Sequence, residues 1–247
     1  MEPLRPIAPP HREPGLLVAF SERGDTGGLE SPTSALARRF ADTLGFPDLP
    51  IARATQVHGA NVTVVRTALM GGEVVDMGKV DLLITQQENL ALVIQTADCL
   101  PVLLAGDGAI AAAHAGWRGS AAGVAGEAAF TLESMGVPWP SLRAWVGPSI
   151  GPCCYEVGEE VASQFPAETV SPAADGTLRL DLRAVNRLQL AQAGIAPDRM
   201  FFDPGCTRCG GPRYASYRRD GGAAGRMIAL IARPGRAQRA QEFRPSP

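Results

Sequence analysis

The most constraining feature of this chain is a pair of apolar segments separated by a tight-turn signal. Residues 100–105 and 109–114 have the length and apolar character of strands, and Gly106-Asp107-Gly108 between them is typical of a hairpin loop. A loop at Gly106-Asp107 would place Cys99 opposite His114, whereas a loop at Asp107-Gly108 would shift the partner by two residues. In either register the thiol and the imidazole are near neighbours, because opposed Cβ atoms of paired strands lie about 5 Å apart.

A cysteine beside a histidine predicts a metal site. Zinc binds thiolate sulfur at about 2.3 Å and imidazole nitrogen at about 2.0 Å, so the hairpin pair suits this ion. His58, in Gln56-Val-His58-Gly, lies between two strand-like segments and is the candidate third ligand, since Gly59 permits a sharp turn beside it. The competing interpretation is a histidine that only forms a hydrogen bond near a strand end. The third histidine of the chain, His11, is expected to point into water.

The length of 247 residues suits one large domain or two small ones, and one domain is favoured because the loop composition shows no clear linker. With 45% of the residues hydrophobic, a sizeable core can form. We predict a disordered proline-rich leader over residues 1–14, a single catalytic domain over 15–233 and a loose basic tail over 234–247. The net charge of −2 gives no electrostatic case for nucleic acid. No stretch approaches the roughly 20 apolar residues of a membrane span. Without a hydrophobic signal core near the N-terminus, a cytoplasmic location is expected.

The order of the elements indicates an α+β fold. Adjacent strands with short links favour antiparallel pairing, and helices between groups of strands favour layering over a doubly wound sheet. The spacing predicts helices over 31–45, 120–135 and 182–193, and closing strands over 200–202, 214–217 and 226–233.

Several polar residues near the predicted ligands are candidates for substrate contacts. Gly116, Arg118 and Gly119 lie where the second strand of the hairpin leads into a helix, whose free amides and dipole favour an anion such as phosphate. The alternative is that these glycines only permit a tight turn. Arg23, in a glycine-rich loop, could reach the same anion or be solvated. Asp98 could orient a ligand, act as a base, or be an ordinary turn residue.

The remaining polar signals are weaker. Tyr217-Arg218-Arg219-Asp220 is either a rim of the same cleft or the end of a hairpin. Cys206-Thr-Arg-Cys209 has the spacing of half a zinc knuckle or of a redox pair, but no second pair of this spacing completes it. Cys153 and Cys154 are expected to be small buried residues, and all five cysteines are expected to be reduced.

Three motifs in order give the chain a family resemblance. They are Gln56-Val-His58-Gly, Thr96-Ala-Asp-Cys99-Leu-Pro101 and Ala113-His114-Ala-Gly-Trp-Arg-Gly119. With them the chain resembles, over residues 15–232, the family first labelled polyphenol oxidoreductase or "laccase domain" and also called peptidoglycan editing factor. The resemblance implies a layered α/β/β/α fold, similar to a cytotoxic necrotizing factor domain and YfiH-like. It also implies metal ligands at His58, Cys99 and His114, phosphorolysis of adenosine, inosine, guanosine and methylthioadenosine, and deamination of adenosine.

Three enzymatic hypotheses follow. The first is a zinc enzyme acting on purine nucleosides and phosphate, because three protein ligands leave zinc an open fourth position. The second is a metal-free cysteine hydrolase with Cys99 as nucleophile and His114 as base. The third is a copper polyphenol oxidase, since two histidines and a cysteine match a copper ligand set. With three histidines in the chain a multicopper cluster is excluded, although copper could occupy the zinc position adventitiously. The oligomeric state is left open.

Overall fold

Two six-stranded sheets packed face to face form the centre of the molecule. The computed structural model describes residues 3–8, 10–26 and 32–235. The first sheet consists, in spatial order, of β1 (His11–Glu13), β2 (Leu16–Phe20), β15 (Met227–Arg233), β7 (Leu90–Thr96), β3 (Ile51–Arg53) and β5 (Val74–Asp76). The second consists of β14 (Met200–Phe202), β10 (Arg143–Val146), β8 (Leu100–Gly106), β9 (Ala109–Ala115), β6 (Leu82–Thr85) and β4 (Val62–Val64).

Smaller elements surround the two sheets. A third sheet has the order β11 (Glu156–Val157), β13 (Leu178–Leu180) and β12 (Val170–Pro172). The helices are α1 (Pro32–Thr43), α2 (Trp117–Ala121), α3 (Val124–Ser134), α4 (Glu159–Ala162), α5 (Leu182–Gln192) and α6 (Tyr217–Asp220). Turns of 3-10 helix lie at Trp139–Ser141, Ala167–Thr169, Pro197–Arg199 and Gly221–Ala223. Within the described part of the chain, no helix has the length and apolarity needed to cross a membrane.

The central strands are apolar on both faces because each face is covered. In β7, Leu92 and Ile94 point between the sheets, while Ala91 and Val93 pack against α1. The second sheet repeats the pattern, with α3 and α5 covering its outer face. Strands buried on both faces read as continuous apolar segments, and each fully buried leucine contributes about 1.5–3 kcal/mol. The chain therefore has the α+β class that the order of its elements predicted and the layered α/β/β/α arrangement that the family resemblance implied.

The β8–β9 hairpin adopts the second of the two predicted registers. Pro101 lies opposite His114 and Gly106 lies opposite Ala109, so the loop is Asp107-Gly108. Gly108 has φ +75°, a conformation that glycine adopts without a steric penalty. Cys99 is thus diagonal to His114 rather than opposite it, and both residues lie on the face of the hairpin that is directed between the two sheets.

Several expectations about the elements are corrected by the structure. His11–Glu13, in the segment predicted to be disordered, pairs with β2, and the His11 ring lies 5.0 Å from the Trp145 ring instead of pointing into water. The helix predicted over 120–135 is two helices, since Gly123 between them has φ +80°. Residues 214–217 form no strand, and α6 begins at Tyr217. By contrast, the predicted antiparallel pairing predominates among the described strands, although β3–β5, β3–β7, β4–β6 and β10–β14 are parallel. Most of the predicted tail, from residue 236 onward, lies outside the described residues.

Candidate metal centre and its cavity

His58, Cys99 and His114 converge at one end of the space between the sheets. One ligand atom from each lies within 4.8 Å of the other two, and the two imidazole rings meet edge to face with centroids 4.8 Å apart. His114 comes from β9, Cys99 from the residue before β8, and His58 from the loop between β3 and β4. Two imidazoles and a thiol are the donors that zinc and copper prefer, so the three residues fit a metal ion of this type.

A buried carboxylate, Asp81, contacts the ring of His114 and the backbone of His58. Its side chain has no exposure, and its Oδ1 lies 2.8 Å from His114 Nδ1. Because a carboxylate only accepts hydrogen bonds, His114 Nδ1 carries a proton, which leaves Nε2 as the nitrogen that a metal would bind. The backbone amides of His58 and Gly59 also donate to Asp81, at 2.9 and 2.7 Å. One carboxylate thus fixes the ring of His114 and the loop that carries His58.

Two of the site residues have unusual backbone conformations. His58 has φ +63° and Asp98 has φ +82°, in a region that L-residues rarely adopt. The hydrogen bonds from the His58 and Gly59 amides to Asp81 stabilise the backbone conformation of His58. The second is held by its own carboxylate, which accepts hydrogen bonds from Thr207 Oγ1 and from the Arg218 amide, each at 2.6 Å. Backbone strain of this kind persists where surrounding contacts enforce it, and it clusters at functional sites.

The electrostatics of the site favour a charged thiolate and imidazolium in the metal-free chain. Burial by itself would raise the pKa of the Cys99 thiol, but the charge on His114 and hydrogen bonds from both histidines outweigh it and lower this pKa to about 6. Burial would lower the pKa of His114, but Cys99 and Asp81 together raise it to about 9. Near neutral pH, Cys99 therefore has the anionic form that binds a metal or attacks an electrophile.

The three residues form part of the wall of a cavity of about 470 Å³. This volume falls within the range of roughly 300–1,000 Å³ typical of sites for small molecules. Polar and aromatic side chains predominate in the rest of the wall: Gln56, Gln95, Thr96, Asp98, Trp117, Tyr155, Tyr217, Arg218 and Arg226. The cavity can therefore accept a flat aromatic group beside an anion.

Arg218 and Arg226 are the cations of this wall. Arg218 lies 5.4 Å from the Tyr155 ring, and Arg226 Nη1 donates to the Gly225 carbonyl at 2.7 Å. No carboxylate pairs with either guanidinium within the range of residues that the structure covers. Their charges are available to an anionic ligand, and the interpretation of Tyr217 and Arg218 as a cleft rim agrees with this position.

The phosphate contacts predicted from the sequence have mixed outcomes. Arg23 does not line the cavity, since it pairs with Asp220 at 3.3 Å and donates to the Ala223 carbonyl at 2.7 Å. The exposed Arg118 lies over the Trp117 ring, 4.2 Å from its centroid, and is not part of the wall. The helix beginning at Trp117 has five residues, too short for the dipole effect we expected. A contact between Arg118 and phosphate stays a prediction.

Gly116 and Gly119 have a packing role that explains their identity. A Cβ on Gly116 would lie 3.0 Å from Cys99 Sγ and 3.4 Å from His58 Cδ2. One on Gly119 would lie 2.9 Å from the Gly59 carbonyl oxygen and 3.0 Å from that of His114. Both glycines let the segments that carry the three ligands approach each other closely.

Sequence reasoning missed Asp81, Tyr155, Thr207 and Arg226. Asp81 had one visible signal, a carboxylate immediately before the apolar strand β6, where an unpaired charge would be costly. The other three come from distant loops, and no local pattern marks them.

Comparison with known proteins places the chain among relatives of named function. The family described as multi-copper polyphenol oxidoreductase laccase matches residues 30–234. The chain belongs to this family. The purine nucleoside phosphorylase YlmD of Geobacillus stearothermophilus is 36% identical over 210 residues, which cover 79% of this chain and 77% of that protein. The adenosine deaminase RL5, from an unknown prokaryotic organism, is 31% identical over 191 residues, covering 72% of this chain and 73% of that one.

A solved structure in the family shares the fold. The crystal structure of YlmD from G. stearothermophilus has a TM-score of 0.78 at 29% identity and covers 90% of this chain and 93% of that one. The name of the family refers to several coppers, but this chain has three histidines, and His11 packs on Trp145 beside a different cavity. The remaining two belong to the centre described above, so a further histidine-bound copper cluster has no ligands here.

Proposed function

We propose that this chain is a zinc-dependent purine nucleoside phosphorylase that also deaminates adenosine. The observation that carries the proposal is the convergence of His58, Cys99 and His114 in a cavity that also presents two arginines and several aromatic rings. The named activities of YlmD and RL5 support it. The expected substrates are adenosine, inosine, guanosine and methylthioadenosine. A role in editing peptidoglycan precursors follows only from the family resemblance.

His58, Cys99 and His114 would hold the zinc ion. When bound, zinc with three protein ligands supplies Lewis acidity at an open coordination position. Asp81 accepts the hydrogen bond from His114 Nδ1 and fixes the backbone of the loop that carries His58, so the His114 ring and this loop are already positioned for the ion. This preorganisation raises metal affinity, because the residues lose little freedom on binding.

Arg218 and Arg226 are the proposed phosphate contacts. In phosphorolysis a phosphate oxygen bonds to the ribose C1′ while the bond from C1′ to the purine nitrogen breaks, and the purine leaves with the electron pair and takes up a proton. Two guanidinium groups can bind the attacking anion and position it. Arg118, which lies over the ring of the cavity residue Trp117, is a further candidate for attracting the anion.

The aromatic side chains of the wall suit the purine. Trp117, Tyr155 and Tyr217 present flat faces, and stacking on an aromatic ring contributes about 1–3 kcal/mol per base. Asp98 has each carboxylate oxygen bound to a protein donor, so we propose that it positions Cys99 and the Arg218 backbone. Its function as a base stays a prediction.

An assay of nucleosides with and without phosphate tests this function. Zinc-loaded protein is expected to convert inosine to hypoxanthine and ribose 1-phosphate only when phosphate is present, and to convert adenosine to inosine without it. Chromatographic detection of the products separates the two reactions. Parallel metal analysis shows whether zinc or adventitious copper is bound. If zinc-loaded protein forms none of these products, the proposal is wrong.

A metal-free cysteine hydrolase is the second candidate. Cys99, His114 and Asp81 are linked as a nucleophile, a base and an orienting carboxylate, the arrangement of a catalytic triad. Extensive chelation distinguishes the two functions. A zinc enzyme loses its activity and regains it when zinc is added, whereas a thiol enzyme retains its activity in chelator and loses it on alkylation of Cys99.

A further inference from the structure

Four cysteines outside the cavity wall form a second cluster. The sulfur atoms of Cys153, Cys154, Cys206 and Cys209 all lie within 4.8 Å of one another, and all four are free thiols. From this geometry we infer a second metal site, a closed tetrathiolate centre that holds one structural zinc ion. The sequence suggested only half of such a site, because the second pair is two adjacent cysteines and not another pair with the same spacing.

The distances suit a single tetrahedral ion. Four sulfurs at about 2.3 Å from zinc lie about 3.8 Å from one another. Cys153 Sγ and Cys209 Sγ, which belong to different loops, are 3.7 Å apart. An iron–sulfur cluster needs its cysteines spread around several irons, so the compact spacing favours one ion. Tetrahedral coordination by four sulfurs is typical of structural zinc.

The fold explains why residues so far apart in sequence meet here. Strands β10 and β14 are parallel neighbours, so the loops that follow them leave the sheet at the same edge. The pairing extends through Ser149 and Cys206, and the Thr207 amide donates to the Ser149 carbonyl at 3.0 Å. Each loop then delivers two cysteines to one point.

The local backbone is arranged as in metal-binding turns. The Gly151 amide donates to Cys206 Sγ at 3.2 Å, the type of hydrogen bond that stabilises a negatively charged sulfur. The Gly210 amide donates to the Cys206 carbonyl at 2.8 Å and closes the turn of Cys206–Cys209. A Cβ on Gly210 would lie 2.4 Å from that carbonyl oxygen, so the turn requires glycine after the second cysteine.

The position of the cluster indicates what the ion would do. Tyr155, which follows Cys154, forms part of the cavity wall. Thr207, which follows Cys206, donates a hydrogen bond to Asp98, another residue of that wall. A zinc ion would join the two loops and keep these residues in place. Binding releases the protons of the thiols that ionise, and it involves no redox step.

Metal stoichiometry of chain purified under reducing conditions tests the inference. Wild-type protein loaded with zinc is expected to bind two ions per chain. Cys99→Ser removes a ligand of the first centre only and is expected to keep one ion, coordinated by four sulfurs at about 2.3 Å in X-ray absorption at the zinc edge. Cys153→Ser/Cys209→Ser is expected to lose that ion and keep the one at the first centre.

Two further measurements make the result decisive. Cobalt bound to Cys99→Ser is expected to give the intense absorption of a tetrahedral tetrathiolate site, and this readout stands even if the double variant fails to fold. A Cys99→Ser protein that binds no metal overturns the inference, as does coordination by nitrogen or oxygen. It is also overturned if intact-mass analysis without reductant shows that freshly reduced, zinc-loaded protein has a disulfide among these cysteines.

Discussion

The described part of the chain has two compact clusters of side chains that could hold a metal ion, and they differ in nearly every other respect. The first combines a thiol with two imidazoles, has a buried carboxylate behind it and opens into a cavity. The second has four sulfurs, two of them exposed, and none of its cysteines lines that cavity. Three protein ligands leave a coordination position for chemistry, whereas four complete the coordination of zinc. The comparison assigns reactivity to one and support to the other.

A short hydrogen-bond path connects the two clusters. Asp98, which precedes Cys99, accepts from Thr207 Oγ1 at 2.6 Å, and Thr207 follows Cys206. We therefore expect substitutions at the first cluster to lower activity and substitutions at the second to lower stability. Removing the hydrogen bond between Thr207 and Asp98 should have a small effect on both.

The largest expected effect is the loss of Cys99. We expect Cys99→Ser to reduce both activities by more than about 100-fold, because even changing an outer partner of a metal ligand costs about 10–100-fold. Cys153→Ser, at an exposed sulfur of the second cluster, is the matched control and should retain most of the activity while lowering the melting temperature. Steady-state rates and thermal unfolding check this. Equal losses of activity in the two variants would contradict the assignment of chemistry to the first cluster and structural support to the second.

The next effect concerns Asp81. Replacing it by Asn leaves a side chain that cannot accept from the His114 ring and the two amides in the same way, so we expect metal affinity and activity to fall about 10–100-fold. Competition with a chromophoric chelator measures the affinity. Asp175→Asn is the control, since Asp175 also accepts a backbone amide, that of Thr177, but in an exposed turn. A wild-type zinc affinity in Asp81→Asn would contradict the assigned role.

A smaller effect is expected at the arginines of the cavity. Arg218→Met and Arg226→Met should each raise the KM for phosphate about 10–100-fold, because hydrogen bonds to charged groups contribute about 1.5–3 kcal/mol. Deamination of adenosine needs no phosphate and should change less. Arg23→Met is the control, because Arg23 pairs with Asp220 away from the cavity wall. Equal effects on both reactions would show that the arginines support the fold instead.

The smallest effect lies on the path between the clusters. Thr207→Val removes the donor to the buried Asp98 carboxylate, and leaving such an acceptor unsatisfied costs about 1–3 kcal/mol. Thr207→Ser keeps the hydroxyl and should behave like the wild type. Chemical denaturation gives the loss of unfolding free energy, and kinetic assays show whether activity falls with it. If the Val and Ser variants have the same stability and activity, the hydrogen bond between Thr207 and Asp98 contributes to neither.

Prediction from the sequence was strongest where one local pattern decided the outcome. Cys99 and His114 lie on the same face in both possible registers, because side chains in a strand alternate with a period of two. The prediction that Arg23 and Arg118 contact the same anion was weaker, since a loop residue has no such period, and the structure pairs Arg23 with Asp220. The single helix expected over 120–135 failed because the sequence pattern did not show that Gly123 adopts a left-handed conformation.

By itself the sequence determined the apolar strands, the layered fold class and the pairing of a thiol with an imidazole across one hairpin, because these depend on neighbours in the chain. Only the tertiary structure decided that Asp81 would contact both histidine segments, that Arg218 and Arg226 would share their cavity, and that four cysteines from two loops would meet. Those contacts depend on how the sheets pack and on the parallel pairing of β10 with β14, which no local periodicity encodes.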